Sequence, residues 1–142
     1  MPDKTLTDAL IKKKDELLVI FQNFFMTVKG KFKDSSYILI IRLLTKTFAK
    51  ITIYPLNKDK VLKIMFIGFD IQDTKVEETI KELRNFKMIH TSGLTTLGNK
   101  SYYECYLDVS LGDEDYKDLK RNLDKIKNIF EDIKIVEIYL EK

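Results

Sequence analysis

The stretch VLKIMFIGFD, at residues 61–70, has the apolar character of a strand at the centre of a sheet. Strands that are buried on both faces form nearly continuous hydrophobic runs of this kind. We therefore predict a central strand here. The chain after it is predicted to fold as one unit around this strand.

A helix and two strands are predicted downstream of the central strand. Thr74 and Glu77 have the spacing of a capping box, which indicates a helix start. The predicted buried face of this helix consists of Val76, Ile80, Leu83 and Phe86. Residues 87–110 then show two strand-like runs that meet at Gly98 and Asn99, a typical turn pair.

A second helix and a last strand complete this half of the chain. Apolar residues recur at helical spacing from about Glu114 to Ile129, and the closing run IKIVEIYLE is strand-like. The order from residue 61 is thus β-α-β-β-α-β. It predicts an α+β fold of the ferredoxin-like type, an antiparallel sheet with two helices on one face, over residues 61–142.

The first 55 residues are predicted to form a basic, mainly helical segment that precedes this domain. Apolar residues spaced by three, four and seven between Thr5 and Thr27 favour one helix. Ser35 and Ser36 favour the start of another over residues 37–49. A hairpin is the alternative there, because the run is rich in Ile and Tyr. We expect residues 1–55 and 61–142 to form one compact unit.

Composition narrows the class of protein. The chain has 142 residues, of which 44% are hydrophobic and 33% charged, which is typical of a globular protein. No stretch reaches the roughly 18 uncharged apolar residues of a membrane span, because Lys29, Arg42, Lys46 and Lys50 interrupt the richest regions. The first residues lack the apolar core of a signal peptide, and Cys105 is the single cysteine, so we expect a cytoplasmic protein.

The segments IGFDIQDTKVEETIKELRNF and KMIHTSGLTTLGNKSYYECYLDVS carry a resemblance to a known family. Over residues 61–142 the chain resembles the ACT domain, a regulatory module of βαββαβ topology. The resemblance implies a non-catalytic module that responds to an amino acid or another small effector. It also implies that the effector region consists of Phe69, Asp70, Ile71, Gln72 and Asp73, faced by His90, Thr91 and Ser92.

Association with a second copy or a partner protein is also expected. The run LLVIFQNFF, at residues 17–25, is apolar on almost every side and needs more than one neighbour to cover it. One face of a sheet that carries helices only on its other face needs cover as well. A symmetric homodimer would satisfy both requirements.

Nucleic-acid binding, as in a transcriptional regulator, is the alternative function. Residues 1–63 hold 13 Lys and Arg against 6 Asp and Glu, whereas the remainder is net acidic. The segment MFIGFD also resembles the first strand of the RNA-recognition motif, but KSYYECYL lacks the glycines of that family's second signature. The candidate phosphate-binding residues are therefore in the basic half: Lys12, Lys13, Lys14, Lys29, Lys31 and Lys33.

Catalytic and metal chemistry is not indicated by the sequence. His90 is the only histidine, and no acidic partner at a catalytic spacing accompanies it and Ser92. One histidine and one cysteine do not make a zinc site, and no glycine-rich phosphate loop is present. We predict no enzyme activity, no catalytic residue, no metal and no cofactor, and we expect Cys105 to be a small core residue.

Overall fold

The computed structural model describes residues 6–14 and 30–140. The described chain contains eight strands, two α-helices and one 3-10 turn. In chain order they are β1 (Asp8–Lys13), β2 (Tyr37–Leu44), β3 (Ala49–Leu56), β4 (Lys60–Phe69), α1 (Asp73–Leu83), β5 (Met88–Thr91), β6 (Thr95–Leu97), β7 (Lys100–Leu107), α2 (Glu114–Ile126), the 3-10 turn (Lys127–Ile129) and β8 (Asp132–Tyr139).

These elements form two sheets in two compact units. The first sheet has the order β1-β2-β3, and the second has the order β5-β7-β4-β8, with β6 also paired to β7. We call the described residues 7–14, 30–60 and 138–140 the N-terminal unit, and Leu6 with Val61–Glu137 the C-terminal unit.

The predicted fold class is wrong. The described part of the N-terminal half is mainly antiparallel sheet, and the described residues form eight strands in two sheets against two α-helices. The second sheet has five strands, because the short β6 adds to β7 beyond the predicted four. The molecule is therefore not a ferredoxin-like domain with a helical leader. The apolar run at residues 17–25 lies outside the described residues.

Long-range pairing explains why the N-terminal half forms strands. The predicted helix over residues 37–49 is instead the β2–β3 hairpin, the alternative that its Ile and Tyr content favoured. Strand β1 then pairs antiparallel with β2, in a region also predicted as helix. Asp8 lies opposite Arg42, and the two side chains form a two-pronged ion pair with N···O distances of 2.6 and 3.0 Å. Helical spacing of leucines could not reveal these distant partners.

A short turn at Thr45 closes the hairpin. The Thr45 N–H donates to the Phe48 carbonyl oxygen at 2.9 Å. The Thr45 hydroxyl oxygen accepts from the N–H groups of Thr47 and Phe48 at 3.3 and 3.1 Å. Threonine side chains often close turns in this way, so the start of the ladder is fixed at this pair.

The two outer strands of the first sheet have different neighbours. On the β1 side, Ile11 forms an isolated parallel bridge with Leu140. The Leu140 N–H in turn donates to the Asp59 carbonyl oxygen at 2.9 Å. On the other side, β3 pairs with β2 alone among the described strands. The β1 edge thus receives a further chain segment within the unit, whereas the β3 edge is unpaired in the described chain.

Burial in the N-terminal unit differs along the sheet. Ile11, Ile38 and Leu39 are fully buried, and Phe32 packs with Ile40 and Ile53 against Ile38. Near the hairpin turn the apolar side chains are open to solvent: Leu44 is 69% exposed, and Phe48 and Ile51 are each 56% exposed.

The C-terminal unit has its core between the two helices and one face of the second sheet. Leu62, Ile64 and Phe66 of β4 and Tyr103, Cys105 and Leu107 of β7 point to this side. Helix α1 contributes Leu83, and α2 contributes Leu119, Leu123 and Ile126. The prediction that Cys105 is a core residue is confirmed.

Helix α1 lies where the periodicity predicted a helix, but two details differ. Its N-cap residue is Gln72, whose side chain makes no capping bond, so the capping box expected at Thr74 is wrong. Ile80 is 40% exposed, whereas Thr79 is buried at that turn of the helix. The Thr79 hydroxyl is satisfied by donating to the Lys75 carbonyl oxygen at 2.9 Å. Neither helix of the described chain is long and apolar enough to cross a membrane.

Candidate functional site

The face of the second sheet that points away from the two helices carries a cluster of polar side chains among apolar ones. Lys63 of β4, Tyr106 of β7 and His90 of β5 lie in one cross-strand row. Glu104 lies two residues before Tyr106 on β7, opposite Met65. We call Lys63, His90, Ser92, Glu104 and Tyr106 the polar cluster.

A buried ion pair is the centre of the polar cluster. The Lys63 ammonium nitrogen is 3.4 Å from a Glu104 carboxylate oxygen, with side-chain exposures of 6% and 1%. The ammonium also lies 5.7 Å from the centre of the Tyr106 ring, within the range of a cation–π interaction. Two charges removed from water this completely need partners, and each is a counter-ion for the other.

Backbone hydrogen bonds fix Glu104 in place. Its own N–H donates to the Ser92 hydroxyl oxygen at 2.9 Å, and the Ser92 N–H donates to the Glu104 carbonyl oxygen at 2.8 Å. The second carboxylate oxygen accepts from the Leu6 N–H at 2.9 Å. The His90 ring, half-buried, has its centre 6.0 Å from that of Tyr106. With a side-chain exposure of 1%, the Glu104 carboxylate is not accessible to a solute.

The Lys63–Glu104 pair was not singled out by the sequence analysis. Two signals pointed to it: a lysine inside an apolar run, and a glutamate inside the tyrosine-rich segment YYECY. The alternation in β7 was expected to bury one set of side chains. Both sets are buried, because Tyr102, Glu104 and Tyr106 are each at most 7% exposed.

The opposite face of β7 carries two acids that stay neutral. Burial raises the pKa of the Cys105 thiol far above its ordinary value, and the Glu104 charge adds to the effect. Burial likewise raises the pKa of the Tyr103 phenol, with Cys105 as a further cause. A reactive thiolate needs the opposite environment, so Cys105 is a packing residue.

An open cleft of about 400 Å³ lies between α2 and β8 in the C-terminal unit. Its floor is apolar and belongs to the edge of the core, with Leu123 from α2 and Ile133 and Ile135 from β8. Ligand sites in proteins commonly have volumes of roughly 300 to 1,000 Å³. The cleft is therefore large enough for a small metabolite.

Side chains of both charges surround the floor of this cleft. The positive ones are Lys120 and Lys127, and the negative ones are Asp124, Glu131 and Asp132. All five are exposed. Packing of α2 against β8 creates this arrangement, so sequence spacing gave no signal for it.

Side-chain contacts lead from Glu131 in the cleft lining to an exposed aromatic side chain. Glu131 forms an ion pair of 3.4 Å with Lys100, and the Lys100 ammonium lies 5.7 Å from the Phe69 ring centre. Phe69 is 54% exposed. One residue of the predicted effector region thus lies beside the rim of the cleft. A second, smaller cleft of about 270 Å³ between α1 and α2 has a polar lining that includes Asp118 and Arg121.

The predicted effector residues fall into two separate groups. Phe69 ends β4 opposite Lys100, and Asp70 to Asp73 lead into α1. Asp70 has a φ of 49°, a left-handed conformation that aspartate adopts more readily than most residues. His90, Thr91 and Ser92 are level with Tyr106 to Glu104 instead, about 13 to 20 Å away along β4. The structure does not bring the two groups together.

The lysines of the nucleic-acid alternative are likewise dispersed. Lys12 and Lys13 are neighbours on β1 and so point to opposite faces of the first sheet. The Lys14 ammonium donates to the Phe32 carbonyl oxygen at 2.9 Å. Lys31 and Lys33 are exposed before β2, and Lys29 lies outside the described residues.

Comparisons with known proteins identify no relative. No family model matches the chain, and no curated protein matches it significantly. Over residues 6–14 and 30–140, no group of three or more His, Cys, Asp or Glu side chains is placed to hold a metal ion.

Proposed function

We propose that this protein is a non-catalytic regulatory module that binds a small zwitterionic effector, such as an aliphatic amino acid, in the cleft between α2 and β8. The observation that carries the proposal is the combination of an apolar floor with charges of both signs around it. An aliphatic side chain would cover Leu123, Ile133 and Ile135. The effector's carboxylate would face Lys120 or Lys127, and its ammonium group would face Asp124 or Asp132.

The lining supports binding without catalysis. Its described residues are Lys, Leu, Asp, Asn, Glu and Ile, so it holds no histidine, cysteine or hydroxyl side chain. A serine, threonine or cysteine nucleophile activated by a histidine base is therefore not among its described residues.

Thermal unfolding against a panel of amino acids, nucleotides and short nucleic acids tests the proposal. A ligand present at one hundred times its Kd adds about 2.7 kcal/mol to the free energy of unfolding. We expect stabilisation by an aliphatic amino acid, and we expect its loss in Lys127→Gln and Asp124→Asn. Lys117→Gln, an exposed change on α2 outside the cleft, is the matched control and should retain the effect.

Three results would overturn the proposal. The first is a thermal shift that Asp70→Asn removes while Lys127→Gln and Asp124→Asn retain it, which would place the effector at the predicted region after β4. The second is stabilisation by nucleic acid alone, which would favour the alternative. The third is no shift with any member of the panel.

A further inference from the structure

The β3 edge of the first sheet is an available pairing site. Among the described strands β3 has β2 as its only neighbour. Its first residues, Ala49, Lys50 and Ile51, are all exposed. An unpaired strand edge offers backbone N–H and C=O groups to a further strand.

The hairpin fixes which backbone groups of β3 point outward. Thr45 and Phe48 form a hydrogen-bonded pair, and hydrogen-bonded and non-hydrogen-bonded pairs then alternate along an antiparallel ladder. Counting from that turn, Ile51 opposite Arg42 and Ile53 opposite Ile40 fall in non-hydrogen-bonded pairs. The N–H and C=O groups of both residues, and those of Ala49, therefore point away from β2.

Pro55 confirms this count independently. It lies opposite Ile38, in the same phase as Ile51 and Ile53. Proline has no N–H, so within a sheet it is tolerated where that group would face the free edge. Ala49, Ile51 and Ile53 thus each have an outward-pointing backbone N–H group, whereas Pro55 has none.

We propose that β3 pairs antiparallel with β3 of a second copy of this chain, about a two-fold axis at Ile51. In this register Ile51 faces its own counterpart, and Ala49 faces Ile53 of the second copy. Every outward-pointing group from Ala49 to Ile53 then finds a partner, and Pro55 stays beyond the ladder. The pairing needs no effector, so it does not depend on the proposed function.

Charge and apolar contacts favour a second copy as the occupant. Lys50 lies opposite Thr52 of the second copy, so the register avoids placing lysine against lysine, which would be destabilising. Ile51, more than half exposed in the single chain, meets its counterpart on the axis. Antiparallel pairing of identical strands is also the arrangement that closes into a symmetric dimer.

Sedimentation velocity over a range of protein concentrations tests the association. We expect a concentration-dependent dimer for the wild-type chain. Ile51→Lys places two ammonium groups on the axis and should weaken the dimer by on the order of tenfold or more. Ile80→Lys, an equivalent change at an exposed isoleucine of α1, is the control and should leave association unchanged.

Cysteine scanning at Lys50, Ile51 and Thr52 tests the register. Opposed residues of a hydrogen-bonded pair have Cα atoms about 5.5 Å apart, within the range that a disulfide bridges. The native Cys105 is buried and does not interfere. Mild oxidation should cross-link Ile51→Cys more than Lys50→Cys or Thr52→Cys. A monomer up to high micromolar concentration, an unaffected Ile51→Lys dimer, or a cross-linking maximum at another position would each overturn the proposal.

Discussion

Lys63 lies between Leu62 and Ile64 in β4, and its ammonium group is almost closed to solvent. Removing one partner of such a pair leaves the other charge buried without its counter-ion, which costs about 3–5 kcal/mol. We therefore expect Lys63→Met to lower the free energy of unfolding by that amount. Urea denaturation of the purified variants measures it.

The double variant Lys63→Met/Glu104→Gln separates charge from packing. Glutamine keeps an oxygen for the Leu6 N–H but carries no charge, so the double variant should be more stable than Lys63→Met alone. Arg121→Met breaks the exposed pair with Asp118 and should change stability by less than about 1 kcal/mol. If the double variant loses as much stability as Lys63→Met and Glu104→Gln lose in sum, Lys63 and Glu104 are not coupled.

At the scale of elements, the junction of β4 and α1 is closely packed at Gly68. A Cβ atom added there would lie 2.9 Å from Ile71 Cδ1 and 3.1 Å from Ile71 Cγ1. We expect Gly68→Ala to destabilise the chain by about 1–3 kcal/mol, as overpacked cores do. Ile71→Val removes the Cδ1 atom, so the cost of Gly68→Ala should be smaller in the Ile71→Val background.

Gly112→Ala is the matched glycine control for that experiment. A Cβ atom at this position meets nothing within 4 Å. Thermal unfolding of the four variants of the Gly68 and Ile71 cycle, together with this control, gives the coupling energy directly. An equal cost of Gly68→Ala in both backgrounds would show that Ile71 is not the obstructing side chain.

Elements with local patterns were predictable, and those defined by distant partners were not. The periodicity of α1 and α2 located both helices, and the run at residues 61–70 located β4. The leucine spacing near residue 10 suggested a helix because nothing local reveals that Asp8 pairs with Arg42, 34 residues away. The α2–β8 cleft was equally hidden, because its lining is assembled only when α2 packs beside β8.

At the scale of the whole molecule, alkaline pH should weaken folding through the acids in the core. The folded-state pKa of Cys105 is raised, so its thiol stays protonated in the folded chain but ionises in the unfolded chain above about pH 8.5. The stabilisation is fully present below that pH. Above it, the free energy of unfolding should fall by up to about 1.4 kcal/mol per pH unit.

Urea denaturation between about pH 8 and about pH 10 measures this loss. Cys105→Ala should flatten the decline in that interval, because no thiol remains to ionise in the unfolded chain. Tyr103, whose pKa is also raised, should add a further decline above about pH 10. An identical slope in wild type and Cys105→Ala would show that other groups cause the loss.

The bridge between Ile11 and Leu140 bears on how many copies of the chain can associate through the edges of the first sheet. In the described chain, the Ile11–Leu140 bridge occupies part of the β1 edge of the first sheet, whereas no described strand other than β2 pairs with β3. A sheet with two open edges can add copies indefinitely and grow into a fibre. Under the proposed pairing, each copy uses its β3 edge once, so growth through that edge stops at two chains.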